Sequence, residues 1–376
     1  MVNHSEYFWD VYRNKRVLVT GHTGFKGSWL SLWLNRLGAE VTGFSKYLPS
    51  TPCHCEVTGL QEKMAHHEGD IRDFRELEKI FKEFQPQVVF HLAAQPIVRE
   101  SYDNPKITFD INLGGTVNIL ECVRQNPCVK AAVIITSDKC YENLGRDLAY
   151  REDDRLGGED PYSASKACAE IACHAYFKSF FNHADVCQIA TTRAGNVIGG
   201  GDWAADRIVP DCVRAWSKND TPVIRKPEAT RPWQHVLEPV SGYLWLGACL
   251  LNNPRGVTGE SFNFGPKKDV VKSVRELADL FLKCWGKGTW KHVPPEGTKK
   301  EASLLKLSCD KALAKLSWEP LLTFAETVEL TAQWYKRYYK NETNGADMYD
   351  VTNAQIDWYV QKAISRGAPW INGVKV

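Results

Sequence analysis

Tyr162 and Lys166 stand four residues apart at the start of a predicted helix, Pro161–Phe180. That spacing puts a phenol and an ammonium on one helical face. A free tyrosine titrates near about 10 and is a poor base at neutral pH. A neighbouring cation favours the phenolate, so the pair can take a proton from a hydroxyl. Ser137 follows a predicted strand, Ala131–Thr136, and can hydrogen-bond the same oxygen. This set suits oxidation of an alcohol, with hydride leaving for a nicotinamide. By itself Tyr-x-x-x-Lys is common by chance in helices; its weight comes from the strand and hydroxyl before it.

A second group of residues suits phosphate. Val17–Thr20 reads as a strand that runs straight into Gly21-His-Thr-Gly24-Phe-Lys-Gly27 and then a helix, Gly27–Leu37. The glycines allow a tight turn and a close approach of backbone to a pyrophosphate, and the helix N-terminus offers free N–H groups. The spacing is G-x-x-G-x-x-G rather than the commoner G-x-G-x-x-G, but the strand before and helix after are both present. One usual part is missing. The second strand, Val41–Phe44, ends in Gly43-Phe44-Ser45-Lys46, with no carboxylate for the adenosine ribose. Lys46 would tolerate a 2′-phosphate. NAD and NADP therefore both stay open, and NAD is expected to bind loosely.

The elements that carry these groups alternate short apolar runs with helical patterns, the mark of a parallel sheet with crossover helices. The helix Gly27–Leu37 turns Leu30, Trp33, Leu34 and Leu37 inward, with Gly38 as its C-cap. Asp73–Phe84, Asn104–Arg124 and Pro161–Phe180 read as helices, and Gln87–Ala94, Ala131–Thr136 and Cys187–Thr192 as strands. After Asn196 the texture changes: Gly199–Gly201 opens a stretch rich in Trp, Arg and Pro to about His235, a candidate substrate region. Val236–Leu251 returns as a strand end and helix. Val274–Trp285 and Phe324–Tyr339 are amphipathic helices, and Gln355–Ile364 a last short one. The expected fold is α/β: a Rossmann-type doubly wound parallel sheet with a smaller mixed α/β substrate-binding domain. The expected division is 1–195 with 236–252 for the cofactor domain, and 196–376 mainly for substrate and C-terminal helices.

Gly21–Gly27, His91-Leu-Ala-Ala-Gln95 and Tyr162–Lys166 together resemble the extended short-chain dehydrogenase/reductases, over nearly the whole chain. Longer runs are similar to the branch that dehydrates CDP-sugars: Thr136-Ser-Asp-Lys-Cys-Tyr141, Arg193-Ala-Gly-Asn-Val-Ile-Gly-Gly-Gly-Asp-Trp203, Asp206-Arg-Ile-Val-Pro210 and Arg231-Pro-Trp-Gln-His-Val236. Dehydratases of dTDP-sugars carry Thr-Asp-Glu where this chain has Ser137-Asp138-Lys139. The glutamate that serves as base at sugar C5 is thus replaced by Lys139. What the resemblance implies is a CDP-glucose 4,6-dehydration with NAD, in deoxysugar biosynthesis for surface polysaccharide. Tyr162 and Lys166 would run the redox step, Ser137 would hold the carbonyl oxygen, and Asp138 and Lys139 would serve elimination. A 4-epimerase or another sugar-nucleotide dehydratase of the same fold is the alternative, and a non-catalytic NAD-binding protein a remote one.

By matching position the resemblance also implies a cofactor set of Gly21, Thr23, Gly24, Phe25, Lys26, Gly27, Ser45, Asp70, Ile71, Leu92, Ala93 and Ala94, with Tyr162 and Lys166. It implies Gln95, Asn196, Arg207 and Arg231 for the substrate. Trp203 and Trp233 either line the pocket or belong to the core. Relatives pair two long helices per subunit, here Asn104–Arg124 and Pro161–Phe180, so a homodimer or homotetramer is expected.

Bulk properties agree. The chain has 376 residues, 43% of them hydrophobic, enough for a sizeable core. A net charge of +2 from 47 basic and 45 acidic side chains gives no sign of a nucleic-acid or membrane-surface binder. There is no bilayer-length apolar run, and the polar start MVNHSEYFWDVYRNKR lacks a signal-peptide core, so a cytoplasmic location is expected. The 12 cysteines lie mostly in apolar segments and read as reduced thiols. Cys53, His54, Cys55, His66 and His67 do not have the spacing of a zinc site, and no metal is expected.

Overall fold

Val17, Leu18 and Val19 show why the central sheet is covered on both sides. Side chains alternate along a strand. Val17 and Val19 join one apolar cluster with Val88, Phe90 and Val133, whereas Leu18 joins another with Val89, Ala132 and Ile134. The computed structural model describes residues 7–145, 148–183, 185–252, 254–267, 270–294, 305–340 and 347–371. The first six residues of the polar start lie outside them.

Seven parallel strands form the sheet: β1 (Arg16–Thr20), β2 (Glu40–Ser45), β3 (Ala65–Glu68), β4 (Val88–His91), β5 (Ala131–Ile135), β6 (Gln188–Arg193) and β7 (Ser261–Asn263). Their order is β7-β6-β5-β4-β1-β2-β3, so the direction of winding reverses between β1 and β4. Ligands bind at such a switch point, outside the carboxyl ends of the strands. Thr20 of β1 pairs with Phe44 on one side and His91 on the other, which places the glycine loop there.

One face is covered by α1 (Phe25–Arg36) and, after a long excursion, α6 (Leu237–Asn252). The other carries α2 (Phe74–Phe84), α3 (Gly115–Gln125) and α4 (Pro161–Tyr176). Asp73 caps α2, its carboxylate accepting from the Arg75 and Glu76 amides. Between β6 and α6 run α5 (Ile208–Ser217) and the short paired strands Val197–Ile198 and Gln234–His235. Ser273 and Glu276 form a capping box at the start of α7 (Val274–Trp285), which packs on α8 (Phe324–Lys340).

Several expectations needed correction. The strand expected over Gln87–Ala94 ends at His91; beyond it the chain lifts away, and Leu92 and Ala93 donate to the carbonyl and hydroxyl of Thr20. The helix expected over Asn104–Arg124 is three pieces: Pro105–Phe109, a π turn at Asp110–Gly114, and α3. The last helix is not short. α9 (Met348–Arg366) starts on an Asp347 cap and stops at Gly367, whose φ of 63° is left-handed. It packs against α1, and the Trp370 ring beyond it stacks on Phe8 at 4.9 Å. Its apolar stripe is diluted by tyrosines and glutamines, so periodicity understated its length. Cys53 and Cys55 are buried at a short helix, His54–Val57, while His66 lies on β3. Among the described residues no cluster of three or more His, Cys, Asp or Glu is placed to hold a metal.

Candidate active site

Gly21 begins the loop with a φ of 73°, which favours glycine. A β-carbon there would stand 2.7 Å from the Ala93 nitrogen, and one at Gly27 would stand 2.1 Å from the Gly21 carbonyl. Both positions therefore exclude a β-carbon, which leaves a turn free of side chains there at the N-terminus of α1. This is what a dinucleotide pyrophosphate needs, so the residues present fit that group.

Next to the loop, His22 is fully buried against Gly43, and its ring bonds His66 at 2.7 Å and the Ser45 hydroxyl at 3.0 Å. Ser45 Oγ in turn accepts from the Thr23 amide at 3.4 Å. The sequence placed no carboxylate near the end of β2. The fold supplies one from just past the next strand, β3: Asp70 sits 3.0 Å from Lys46 and 2.6 Å from Arg72. Hydrogen bonding from Arg72 holds the Asp70 carboxyl well below the usual range. Lys46 is thus already paired. Ile71 is buried beneath Gly115 and takes a hydrogen bond from Asn118 on its carbonyl.

Ser137 caps a tight turn, Asp138–Cys140, at the carboxyl end of β5. Its hydroxyl accepts from the Lys139 amide at 3.2 Å and donates to Asp138 Oδ1 at 3.1 Å. Asp138 is buried against Gly195, where a β-carbon would lie 1.8 Å from its carboxylate. Lys139 makes no ion pair among the described residues; nearby Glu142 is taken by Arg155 at 3.0 Å.

Tyr162 and Lys166, both buried, face this turn from the first turns of α4. Burial pushes the phenol up to about 12, while the Ser137 hydroxyl and the Arg207 cation pull against the rise. Burial and the Lys26 charge bring Lys166 down to about 8. The expected depression of the phenol by Lys166 is therefore absent in the protein alone. Burying two ionisable groups together disfavours charge on both, and a phenolate here needs more positive charge than the lysine brings.

Behind them lies a buried ion pair that sequence reasoning missed. Glu170, one turn after Lys166, accepts from Arg193 Nε and Nη2, each at 3.0 Å. Glu170 also holds Thr136, and Arg193 holds Tyr141 at 2.7 Å, so the pair grips both flanks of the Ser137–Cys140 segment. Burial pushes the Glu170 carboxyl up, but Arg193 pulls it back further and keeps it ionised. A charged residue ending an apolar strand, Arg193, was the available signal. Asn112 was also missed. It sits in the π turn and bonds Ser165 at 2.9 Å and both backbone atoms of Gln95. A helical pattern does not reveal a π turn.

Of the residues matched to the substrate, Arg207 pairs with Asp202 at 2.6 Å and lies close enough to Tyr162 to influence it. Asn196 takes a positive φ of 51° just past β6. Arg231 stands in a two-residue strand with its guanidinium on the Thr230 carbonyl. Gln95 is committed locally: its amide donates to Thr108 at 3.0 Å and accepts from the Ile97 amide. Trp203 and Trp233 are core residues, Trp203 among Trp334, Tyr335 and Tyr338 and Trp233 on the Lys272 carbonyl.

The family model described as GDP-mannose 4,6 dehydratase matches residues 18–331. The chain belongs to that family. With it comes membership of the extended short-chain dehydrogenase/reductases. A CDP-glucose 4,6-dehydratase of Salmonella typhimurium is 45% identical over 355 residues, covering 93% of this chain and 98% of its own length. An epimerase of Methanothermobacter thermautotrophicus superposes with a TM-score of 0.76 at 25% identity, covering 89% of this chain and 96% of that one. A dTDP-glucose 4,6-dehydratase of Bacillus anthracis in complex with NAD gives 0.71 at 25% identity, covering 87% and 97%. Within this dehydratase family, the glycine cradle, the Ser137 turn and the Tyr162 pair of this chain form one continuous site along the carboxyl ends of β1, β4 and β5.

Proposed function

We propose that the protein converts CDP-glucose to CDP-4-keto-6-deoxyglucose, with oxidation, dehydration and reduction in one site. The observation that carries this reading is that an acid and an amine, Asp138 and Lys139, share one turn with the hydroxyl of Ser137, and that Ser137 and Asp138 of that turn act on Tyr162. A plain dehydrogenase or a 4-epimerase has no use for that second proton-transfer set. The cofactor is NAD, which when bound would supply hydride exchange with sugar C4 and C6, with none consumed overall. Asp70 beside Lys46 offsets the charge that a 2′-phosphate would require.

Tyr162 takes the C4 hydroxyl proton, and Ser137 donates to the new carbonyl oxygen. The 4-keto group acidifies C5–H. Lys139, or a water it holds, removes that proton, and Asp138 protonates the departing C6 hydroxyl so that water leaves. The C5 proton returns when C6 is reduced. Lys166 orients the cofactor side of Tyr162. By the family resemblance, Asn196, Arg207 and Arg231 bind the diphosphate.

The protein acts as a homodimer or larger assembly. Tyr102, Ile107, Ile171 and Phe180 stand 60%, 44%, 57% and 46% exposed on the helical segments around α3 and α4, which supports pairing through that face. A cytoplasmic location fits 12 free cysteines, most of them buried. The test is incubation with CDP-, dTDP-, UDP- and GDP-glucose plus NAD. A 4-keto-6-deoxy product from CDP-glucose is expected, and its absence there, or a C4 epimer instead, overturns the reading.

A further inference from the structure

Asp206 opens one of the runs that mark the sequence, yet the mechanism uses only its neighbour Arg207. Its backbone is left-handed, with a φ of 59°, an uncommon state for a residue with a side chain. It stands on the turn just before α5, whose N-cap is Arg207. Two arginines from separate stretches of chain share its carboxylate. Arg99 donates to Oδ2 at 3.4 Å from the short helix Val98–Asp103, which follows β4. Arg225 donates to Oδ1 at 3.3 Å from just past the strand Val223–Ile224, beyond α5. All three side chains are exposed. Exposed pairs add little to stability, so two of them on one strained residue call for another explanation. The turn leads to Arg207, which Asp202 holds at 2.6 Å and which lies close enough to act on Tyr162.

We infer that Asp206 is a positioning residue for the redox step: the Arg99–Asp206–Arg225 clasp fixes the turn that holds the Arg207 cation near the Tyr162 phenol. This rests on the reading that Tyr162 is the base for the C4 hydroxyl, and deepens it. Stretches after β4, before α5 and after α5 meet at one carboxylate, so the turn is tied on both sides. The groups around Asp206 are Arg99, Arg225 and Asp211. Those around Arg207 are Asp202 and Lys26. Tyr162 meets Ser137, Asp138, Arg207 and Asp160, with Tyr243 close by and Lys166 one turn along α4. Burial raises the phenol, and the Ser137 hydroxyl and the Arg207 cation oppose that rise. An Arg207 that loses its place leaves the phenol to ionise at higher pH, so the acid limb of kcat moves up.

The test is the pH profile of kcat on CDP-glucose for the wild type, Asp206→Asn, Arg207→Gln and the double variant. Asparagine tolerates the left-handed backbone, so Asp206→Asn removes the charge and little else. Its kcat at pH 7 should fall about 3- to 10-fold and recover at high pH, the scale of weakening one charge a few ångströms away at intermediate dielectric. Its urea midpoint should match the wild type. Arg207→Gln should move the acid limb at least as far. Adding Asp206→Asn to it should move the limb no further, because the carboxylate acts through that arginine. Arg99→Gln and Arg225→Gln should each give part of the shift. An unmoved limb in Asp206→Asn overturns the inference, even with a raised KM, which would make Asp206 a charge at the substrate's entry. So does a further shift in the double variant, or a lowered midpoint, which would make the clasp a support of the fold. If the wild type makes no 4-keto-6-deoxy product, or Tyr162→Phe turns over normally, the parent reading fails and takes this inference with it. If both behave as expected and the limb stays, this inference fails alone.

Discussion

A phenol held near about 12 is a poor base at pH 7, and Tyr162 is such a phenol in the protein alone. Its proton transfer depends on charge that arrives with the ligands and on the Ser137 hydroxyl already in place. Tyr162→Phe should fold normally and lose about 10²–10⁴-fold in turnover, the range for general acid–base catalysis. Near wild-type turnover would remove Tyr162 from the mechanism. Lys139 acts later. With no carboxylate partner among the described residues, it is available to the substrate rather than tied into an ion pair. Lys139→Met should still form NADH absorbance on adding substrate, yet fail to exchange the C5 proton with solvent. Exchange at the wild-type rate would deny Lys139 its elimination role. At this scale the sequence showed what local spacing controls: Tyr162, Lys166, Ser137 and the three glycines. It hid what comes from distant segments. Asp70 reaches Lys46 across the β2–β3 pairing, and Asp202 meets Arg207 through a loop, neither of which spacing announces.

Among the elements, the turn after β5 and the helix α4 must keep a fixed relation for catalysis, and the Glu170–Arg193 pair supplies it. Their side chains are only 2% and 3% exposed. Removing one partner of such a pair leaves an uncompensated buried charge, at about 3–5 kcal/mol. Arg193→Met should therefore lower the chemical-denaturation midpoint strongly, whereas the double change with Glu170→Met should recover much of the loss. A single variant as stable as the wild type would show that the pair holds nothing. The strands and amphipathic helices around this joint were legible because apolar runs and 3.6-residue stripes mark them directly. Their ends were less so. β4 stops at His91 because its backbone must make room for the glycine loop, and the helix before α3 widens into a π turn because Asn112 is drawn to Gln95 and Ser165. Both departures come from tertiary demands and both border the site.

In the whole molecule, burial has a price in acid. His22, His54, His91 and His235 are fully buried, and burial lowers each to about 3. Between about pH 3 and 6.5 the unfolded chain binds protons that the folded one refuses, so stability falls as pH drops through that window. Each group contributes a slope of about 1.4 kcal/mol per pH unit well below 6.5. Urea midpoints measured at pH 7, 6 and 5 should fall progressively. His54→Gln, which retains polar contacts toward Ser28 and Thr352, should flatten the fall by one group's share. A midpoint constant down to pH 5 would contradict the burial of these rings in solution.

At the same scale lies the claim that one site performs oxidation, elimination and reduction without releasing its electrons. CDP-glucose carrying deuterium at C4, turned over with NAD in ordinary water, reads this out in a single product. The label should appear at C6 of the 4-keto-6-deoxy sugar, with NADH not accumulating. Label lost to solvent, or NADH rising in step with substrate consumed, would contradict the account.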